Sequence, residues 1–186
     1  MLQNIKFICK KVKKTRGEKM NITTDRLYFS TWKDSDSDLA VKLWGNPTVA
    51  KYIHKNGFFN EGECMERLKL EIYNLKQKNI QYFPVFLNQN KQFVGVCGFR
   101  PTDDDNRVEF GVHFLPEFWH RGLAYEASAA MLNYAFKTLK ISSVIAGHNP
   151  HNGASQSLLY KLGFKFIKNE YYEPTGLEHP TYILNR

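Results

Sequence analysis

Apolar and polar positions change their period several times along this chain, and each change marks an element. In TTDRLYFSTW, Leu27, Phe29 and Thr31 alternate with Arg26, Tyr28 and Ser30, which predicts an amphipathic strand over 26–32. KDSDSD then offers Asp and Ser caps for a helix that Gly45 and Pro47 stop near WGNP. After the aromatic connection KYIHKNGFF, the spacing of Met65, Leu68, Ile72 and Leu75 predicts a longer helix from Glu61 to about Lys78. Tyr82–Leu87 and Phe93–Arg100 flank the turn NQNK and read as a hairpin, PTDDDN as a loop, and Val108–Leu115 as a strand closed by Pro116.

The second half repeats the pattern at shorter range. Arg121–Thr138 predicts a helix with Ala124, Ala127, Met131 and Tyr134 on its inward stripe, small enough to pack closely on a sheet. Ser143–Gly147 reads as a strand, Asn152–Leu162 as a helix, Phe164–Glu173 as a strand and Thr181–Leu184 as a last one. Strands and helices in this order predict an α/β, three-layer arrangement: a mixed central sheet with helices on both faces.

Composition narrows the picture. The 186 residues, 42% hydrophobic and 15% aromatic, suit a globular chain with one full core. No apolar run is long enough to span a bilayer. Cys9, Cys64 and Cys97 form no CxxC pair, and His148 and His151 sit in the turn-like HNPHN. These patterns predict reduced thiols in a cytoplasmic protein and no metal site.

The formal charge of +8 suggests nucleic acid until its distribution is read. Residues 1–19 hold seven Lys/Arg against Glu18, while the other 167 residues carry 19 basic and 17 acidic groups. The basicity therefore belongs to an N-terminal extension over 1–19, and the body over 20–186 is nearly neutral. The extension reads as a basic arm, as a targeting peptide, or as upstream sequence. Arg16-Gly17-Glu18-Lys19 can be encoded by a purine run containing AGGAG, like a bacterial ribosome-binding site, which makes Met20 a candidate start. Nucleic-acid binding through this segment is kept only as an alternative function.

Chemistry gathers at WHRGLAYEA, residues 119–127, where a strand turns into a helix. Amides at a helix start carry partial positive charge, and Gly122 lets a ligand approach them. The other reading is a plain connection between two elements.

With TTDRLYFSTWKDSD, FVGVCGF, VEFGVHFLPEFWHRGLAYEA and NGAS followed by KLGF, the chain resembles the GNAT superfamily of acetyl-CoA-dependent N-acetyltransferases. It is most similar to the RimJ/RimL-type branch, which acetylates protein N-termini in its best-known members. These segments run from Thr23 to about Phe166. The superfamily pattern has Gln or Arg three residues before the glycine. Trp119 stands there instead, and aromatic residues are usual at that place in this branch.

The resemblance implies acetyl-CoA as cofactor, with its pyrophosphate on the turn His120, Arg121, Gly122, Leu123 and Ala124. It implies a pantetheine arm paired with the preceding strand at Val112, Phe114 and Leu115, and contacted by Asn152. Asn152 also reads as a helix N-cap. Pro116 and Pro150 are expected to end two neighbouring strands and help them diverge.

Glu109 matches the glutamate of the family pattern E-x-G and is the candidate base. Its other reading is a surface carboxylate paired with a cation. His113 shares its parity and is a second candidate base, or a packed histidine. Many members have a tyrosine four residues before the glycine of the GF pair, where this chain has Leu159. Ser155, from the pattern N-x-x-S, is preferred to Tyr160 for hydrogen-bonding the departing thiolate; it also reads as a first-turn residue satisfying backbone.

The expected reaction is direct attack of a primary amine in a ternary complex, with a protein N-terminal α-amine as favoured acceptor. The alternatives are a polyamine or aminoglycoside-like small amine, and a protein that binds coenzyme A without catalysis. An acidic cleft favours a polycation, and a long groove a protein end. Specificity is expected in residues 44–59, with Trp44, Tyr52, Phe58 and Phe59, and in the C-terminal strands. Monomer and homodimer both stand open.

Overall fold

A computed structural model describes residues 11–13 and 21–186. The expectations for the N-terminal extension and for Met20 as a start lie otherwise outside the described residues. The sheet grows outward from the hairpin of β4 (Tyr82–Leu87) and β5 (Phe93–Pro101), whose residues are mostly buried. β6 (Arg107–Phe114) adds to β5 over seven paired positions from Gly95↔Phe114 to Pro101↔Val108. β3 (Leu27–Phe29) lies on the other side of β4, followed by β2 (Asn21–Thr23) and β1 (Lys11–Lys13). Beyond β6 come β7 (Ser143–Gly147), β9 (Leu177–Asn185) and β8 (Lys165–Tyr172). Among the described residues the strand order is β1-β2-β3-β4-β5-β6-β7-β9-β8, and every neighbouring pair is antiparallel except β6 and β7.

Cα partners in this register share a face. Cys97, Phe99, Phe110, Val112 and Phe114 turn one way; Tyr82, Arg100, Glu109, Gly111 and His113 turn the other. α4 (Leu123–Tyr134) covers the first face, with the Cys97 thiol against Ser128, and α5 (Gly153–Leu162) packs on α4. α1 (Ser37–Trp44), α2 (Pro47–Ala50) and α3 (Glu61–Lys78) belong to the second face, where Glu71 of α3 meets Arg100. Helices on both faces of a mixed sheet give the three layers that the element order predicts.

α3 shows why the segment folds as read. Asn60 and Glu63 form a capping box at its start, Leu68 is buried with Met65, Ile72 and Leu75 packed beside the core, and Asn79 in a left-handed conformation ends it. α4 is more deeply enclosed than its expected stripe. Ala127, Met131 and Tyr134 are buried, but so are Ala129, Ala130 and Leu132, because the helix lies between the sheet and α5.

Several boundaries differ from expectation. The strand over 26–32 is confined to Leu27–Phe29, since Trp32 turns into the core and donates its indole N–H to the Tyr82 carbonyl at 2.8 Å. α4 begins at Leu123 rather than Arg121, because His120 and Gly122 adopt left-handed φ of 59° and 73°. A π-helical turn, Ala135–Leu139, extends its far end. The last strand is longer than Thr181–Leu184 because it forms a full hairpin with β8, from Lys165↔Ile183 to Tyr172↔Leu177. Among the described residues no helix is long and apolar enough to cross a membrane.

Candidate active site

β6 and β7 run parallel, yet they pair only from Arg107↔Ser143 to Glu109↔Ile145. The divergence starts there, well before Pro116 and Pro150, so those prolines close the strands without causing the split. The Leu115 amide donates to the Val94 carbonyl at 2.9 Å on the β5 side. Strand peptide groups face alternate edges, so beyond the last pair with β7 Val112 and Phe114 aim theirs into the gap. The Phe114 carbonyl accepts from the Trp119 indole at 2.7 Å. The amides and the Val112 carbonyl remain an edge to which an extended chain can add. Leu115, expected in this set, lies outside it. Its amide serves β5, its carbonyl accepts from the Phe118 amide at 3.0 Å, and its side chain is buried.

The turn after β6 leads the chain to α4. No side chain caps that helix. The first amide to find a helical acceptor is that of Glu126, bonded to the Gly122 carbonyl at 3.1 Å. The amides of Leu123, Ala124 and Tyr125 are therefore left at the positive end of the helix dipole. A groove of about 220 Å3 opens at this end, lined by Phe114, Trp119, His120, Gly122, Leu123, Ala124, Tyr125 and Lys161, among others.

Arg121 does not aim its charge at this groove as expected. Its guanidinium lies 5.7 Å from the Phe118 ring and lines a neighbouring hollow with Lys42, Gln92 and Glu117. Arg26 stands at the turn instead, with Nη2 3.6 Å from where a Cβ on Gly122 would lie. Its Nη1 donates to the Arg121 carbonyl at 2.8 Å and its Nε to Glu126 Oε2 at 2.6 Å. The buried Glu126 also accepts from the Arg26 amide at 3.0 Å and the Thr24 hydroxyl at 2.5 Å. One carboxylate thus ties the segment before β3 to the start of α4.

At the start of α5, Asn152 accepts from the Ser155 amide at 3.1 Å, which makes it the N-cap. Among the described residues the Ser155 hydroxyl has no hydrogen-bond partner and is half-buried. Tyr160 is exposed, with its ring edge-on to Tyr182 at 5.5 Å on the β8–β9 side. The helical rotation that sets Tyr160 apart from position 159 is as expected.

The opposite face holds the titratable groups. Glu109, Gly111 and His113 point the same way, and the Tyr82 phenol lies over Gly111, where a Cβ would come within 2.5 Å of it. Arg100 pairs with Glu71 at 2.9 Å and not with Glu109. Burial raises the Glu109 pKa; the nearby Arg100 opposes the rise and Glu170 adds to it. Among the described residues its carboxylate accepts no hydrogen bond. His113 is different. Its Nδ1 accepts from the Trp44 indole at 3.4 Å, and burial, with Arg67 and Arg100 nearby, holds its pKa well below the usual imidazole value. It is neutral at pH 7 with one nitrogen engaged, the packed reading. Among the described residues no cluster of His, Cys, Asp and Glu is placed to hold a metal ion.

Residues 26–165 match the family of acetyltransferase (GNAT) domains. This chain belongs to the GNAT acetyltransferases. An uncharacterized N-acetyltransferase of Bacillus subtilis, YnaD, is 30% identical over 146 residues, 78% of this chain and 83% of that protein. The ribosomal protein uS5-alanine N-acetyltransferase of Escherichia coli is 29% identical over 162 residues, covering 79% of each. The crystal structure of a GNAT-family acetyltransferase from Bacillus anthracis superposes with a TM-score of 0.76 at 26% identity, over 89% of this chain and 98% of that one. The protein is an acetyl-CoA-dependent N-acetyltransferase. Uncapped amides at α4 suit a diphosphate, and the unpaired β6 edge suits an amide-bearing arm.

Sequence reading passes over several residues of this GNAT site. Glu126 had a signal, as the one acid within the small-residue run LAYEASAAM, and Arg26 sits in the DRL that opens the matched region. Arg67, Glu71 and Tyr82 carry no such mark. They meet Arg100 and Glu109 only because α3 crosses that face of the sheet.

Proposed function

We propose that this acetyltransferase acts on a primary amine presented as the α-amine of a protein or peptide, by direct attack in a ternary complex. The observation that carries the reading is Glu109: a carboxylate with free oxygens and a raised pKa, on the strand whose opposite edge is open. A raised pKa makes Glu109 a stronger base than an ordinary carboxylate, and an α-amine, with a pKa of about 8, needs only modest help to lose its proton.

Acetyl-CoA supplies an activated thioester carbonyl. The chain's residues bind and manage protons around it. Leu123, Ala124 and Tyr125 offer amides to the diphosphate, with Gly122 leaving them uncovered and His120 and Arg26 beside them, while the Arg121 side chain lines the neighbouring hollow. Val112 and Phe114 offer their free edge to the arm, with Asn152 and Ser155 at the far side of the gap. Glu109 accepts the amine proton, directly or through water, and the unengaged Ser155 hydroxyl donates to the departing sulfur.

Charge favours a peptide over a polycation. Arg67 and Arg100 stand near Glu109 and His113 on this face, and a positive surrounding opposes a polyamine or aminoglycoside. The likeness to an enzyme named for alanine acetylation of ribosomal protein uS5 supports the same class.

The test is steady-state release of coenzyme A with peptides bearing free N-termini, polyamines and aminoglycosides, for wild type and Glu109→Gln. Turnover is expected on peptides, falling about 10²–10³-fold in the variant, within the range for a lost general base. Faster turnover on a polyamine or aminoglycoside than on every peptide sinks the acceptor class. Unchanged turnover in the variant sinks the base.

A further inference from the structure

The α3 face carries more positive charge than proton transfer requires. Glu71 answers one of its two arginines: Oε1 accepts from Arg100 at 2.9 Å, and Oε2 from the Tyr82 amide at 2.7 Å, so both oxygens are engaged. Arg67 has no such answer. Among the described residues its guanidinium takes part in no hydrogen bond or ion pair, and its buried Nε has no acceptor. Two aromatic rings hold it in place, with the guanidinium carbon 5.0 Å from the Trp44 ring centroid and 4.7 Å from that of Phe59. The Nε of Arg100 is also buried without an acceptor. Burial, and then Arg100, pull the Arg67 pKa below its ordinary value; Glu71 opposes them at longer range, without a hydrogen bond or ion pair to Arg67. A buried donor left unused destabilises the fold, the more so when it is charged.

We propose that Arg67 receives a carboxylate carried by the acceptor close to its amine, so that this enzyme selects acidic acceptors. The inference rests on the reading of this face as the acceptor site. Two sources present that chemistry: an Asp or Glu side chain in the first two residues of a peptide, or the α-carboxylate of a free amino acid. A guanidinium is a rigid fork that matches a carboxylate with two parallel hydrogen bonds. Trp44 and Phe59 already fix its plane, so little side-chain freedom is lost on binding. The neighbourhood supports the assignment. His113, Tyr82 and Tyr172 all lie within electrostatic reach of Arg67, and Glu109 with Arg100 completes the same cluster.

The test compares peptides that begin Ala-Asp, Ala-Ala and Ala-Lys and are otherwise identical, together with free glutamate and alanine, by kcat/KM for coenzyme A release. Ala-Asp is expected at least tenfold above Ala-Ala, with Ala-Lys below both. A free amino acid exceeding the Ala-Asp peptide assigns the carboxylate to the α-carboxyl group. In Arg67→Met the ratio of acidic to neutral peptide is expected to fall to about one, whereas a purely structural arginine leaves that ratio unmoved.

Binding gives a second readout. Calorimetry in the presence of coenzyme A should find the N-acetylated Ala-Asp peptide at least tenfold tighter than its Ala-Ala counterpart. The wild-type series decides even if Arg67→Met does not fold. Equal rates and equal binding across the peptides overturn the proposal while the acetyltransferase reading stands. No turnover on any peptide or amino acid overturns both.

Discussion

On the α4 face, the groups left free to meet a ligand are main chain: three amides at an uncapped helix start and the unpaired edge of β6. On the α3 face they are side chains that four separate elements bring together: Arg67 and Glu71 from α3, Tyr82 from β4, Arg100 from β5, Glu109 and His113 from β6. The difference in material is a difference in what each face can change. Main-chain recognition survives almost any substitution that keeps the backbone path, so it suits a cofactor that never varies. A cluster of side chains can be rewritten one residue at a time, so it suits the acceptor.

The sharpest way to break this contrast is at Gly122. Its φ of 73° is left-handed, and no heavy atom other than Arg26 Nη2 lies near its Cβ direction. In Gly122→Val a branched side chain in that conformation costs roughly 1–2 kcal/mol, and it also screens the amides behind it. The dissociation constant for coenzyme A, measured by calorimetry, is expected to rise about 100-fold, equal to about 2.7 kcal/mol. Undiminished affinity in that variant means that side chains, and not the turn, hold the diphosphate.

Glu126 separates the two faces at a smaller scale. Its carboxylate holds the Thr24 hydroxyl and two groups of Arg26, and Arg26 in turn holds the Arg121 carbonyl of the turn. Removing one partner of a buried pair commonly costs 3–5 kcal/mol. The Arg26 side chain is half exposed, which screens the pair, so Glu126→Ala is expected to lose about 2 kcal/mol. For a chain of this length that lowers Tm by roughly 4–8 °C in calorimetry. KM for acetyl-CoA should rise while the preference among acceptors stays as in wild type. A changed acceptor preference breaks the separation of the faces.

The same contrast explains what was legible in the sequence. Main-chain sites leave a local trace, because the residues that shape a turn are neighbours in sequence: His120, Gly122 and Ala124 are all in WHRGLAYEA. The N-cap Asn152 and the hydroxyl of Ser155 are close in the chain for the same reason. Even there, local reading reached only the backbone. It gave Arg121 the charge that Arg26, distant in sequence, brings to Gly122, and it counted Leu115 although alternate peptide groups face opposite edges. The side-chain cluster left almost no trace. Strand parity placed Glu109 and His113 together, but no spacing along the chain tells that Arg67 stacks on Trp44 and Phe59, or that Glu71 spends both oxygens elsewhere.

The smallest expected effect probes the side-chain cluster alone, through stability rather than rate. Glu109 is half-buried and, among the described residues, without a hydrogen-bond donor, and its pKa is raised in the folded state relative to an ordinary carboxyl group. The folded protein therefore holds this proton to higher pH than the unfolded chain does. Below the ordinary carboxyl range, about 4.3, both states are protonated and the group contributes no difference in charge. As pH rises through the raised value, the unfolded chain ionises at less cost and stability falls. Glu109→Gln cannot ionise, so it escapes that fall. Its Tm should exceed that of wild type at pH 7–8, by on the order of a few °C, and the gap should close toward pH 4. A variant that gains stability as it loses turnover is the mark of a carboxylate kept for chemistry at the expense of the fold. The reverse sign, a Gln variant less stable at pH 7 than wild type, means that donors already satisfy Glu109. The cluster then has no free base, and Arg67 alone distinguishes it from the ordinary interior of the protein.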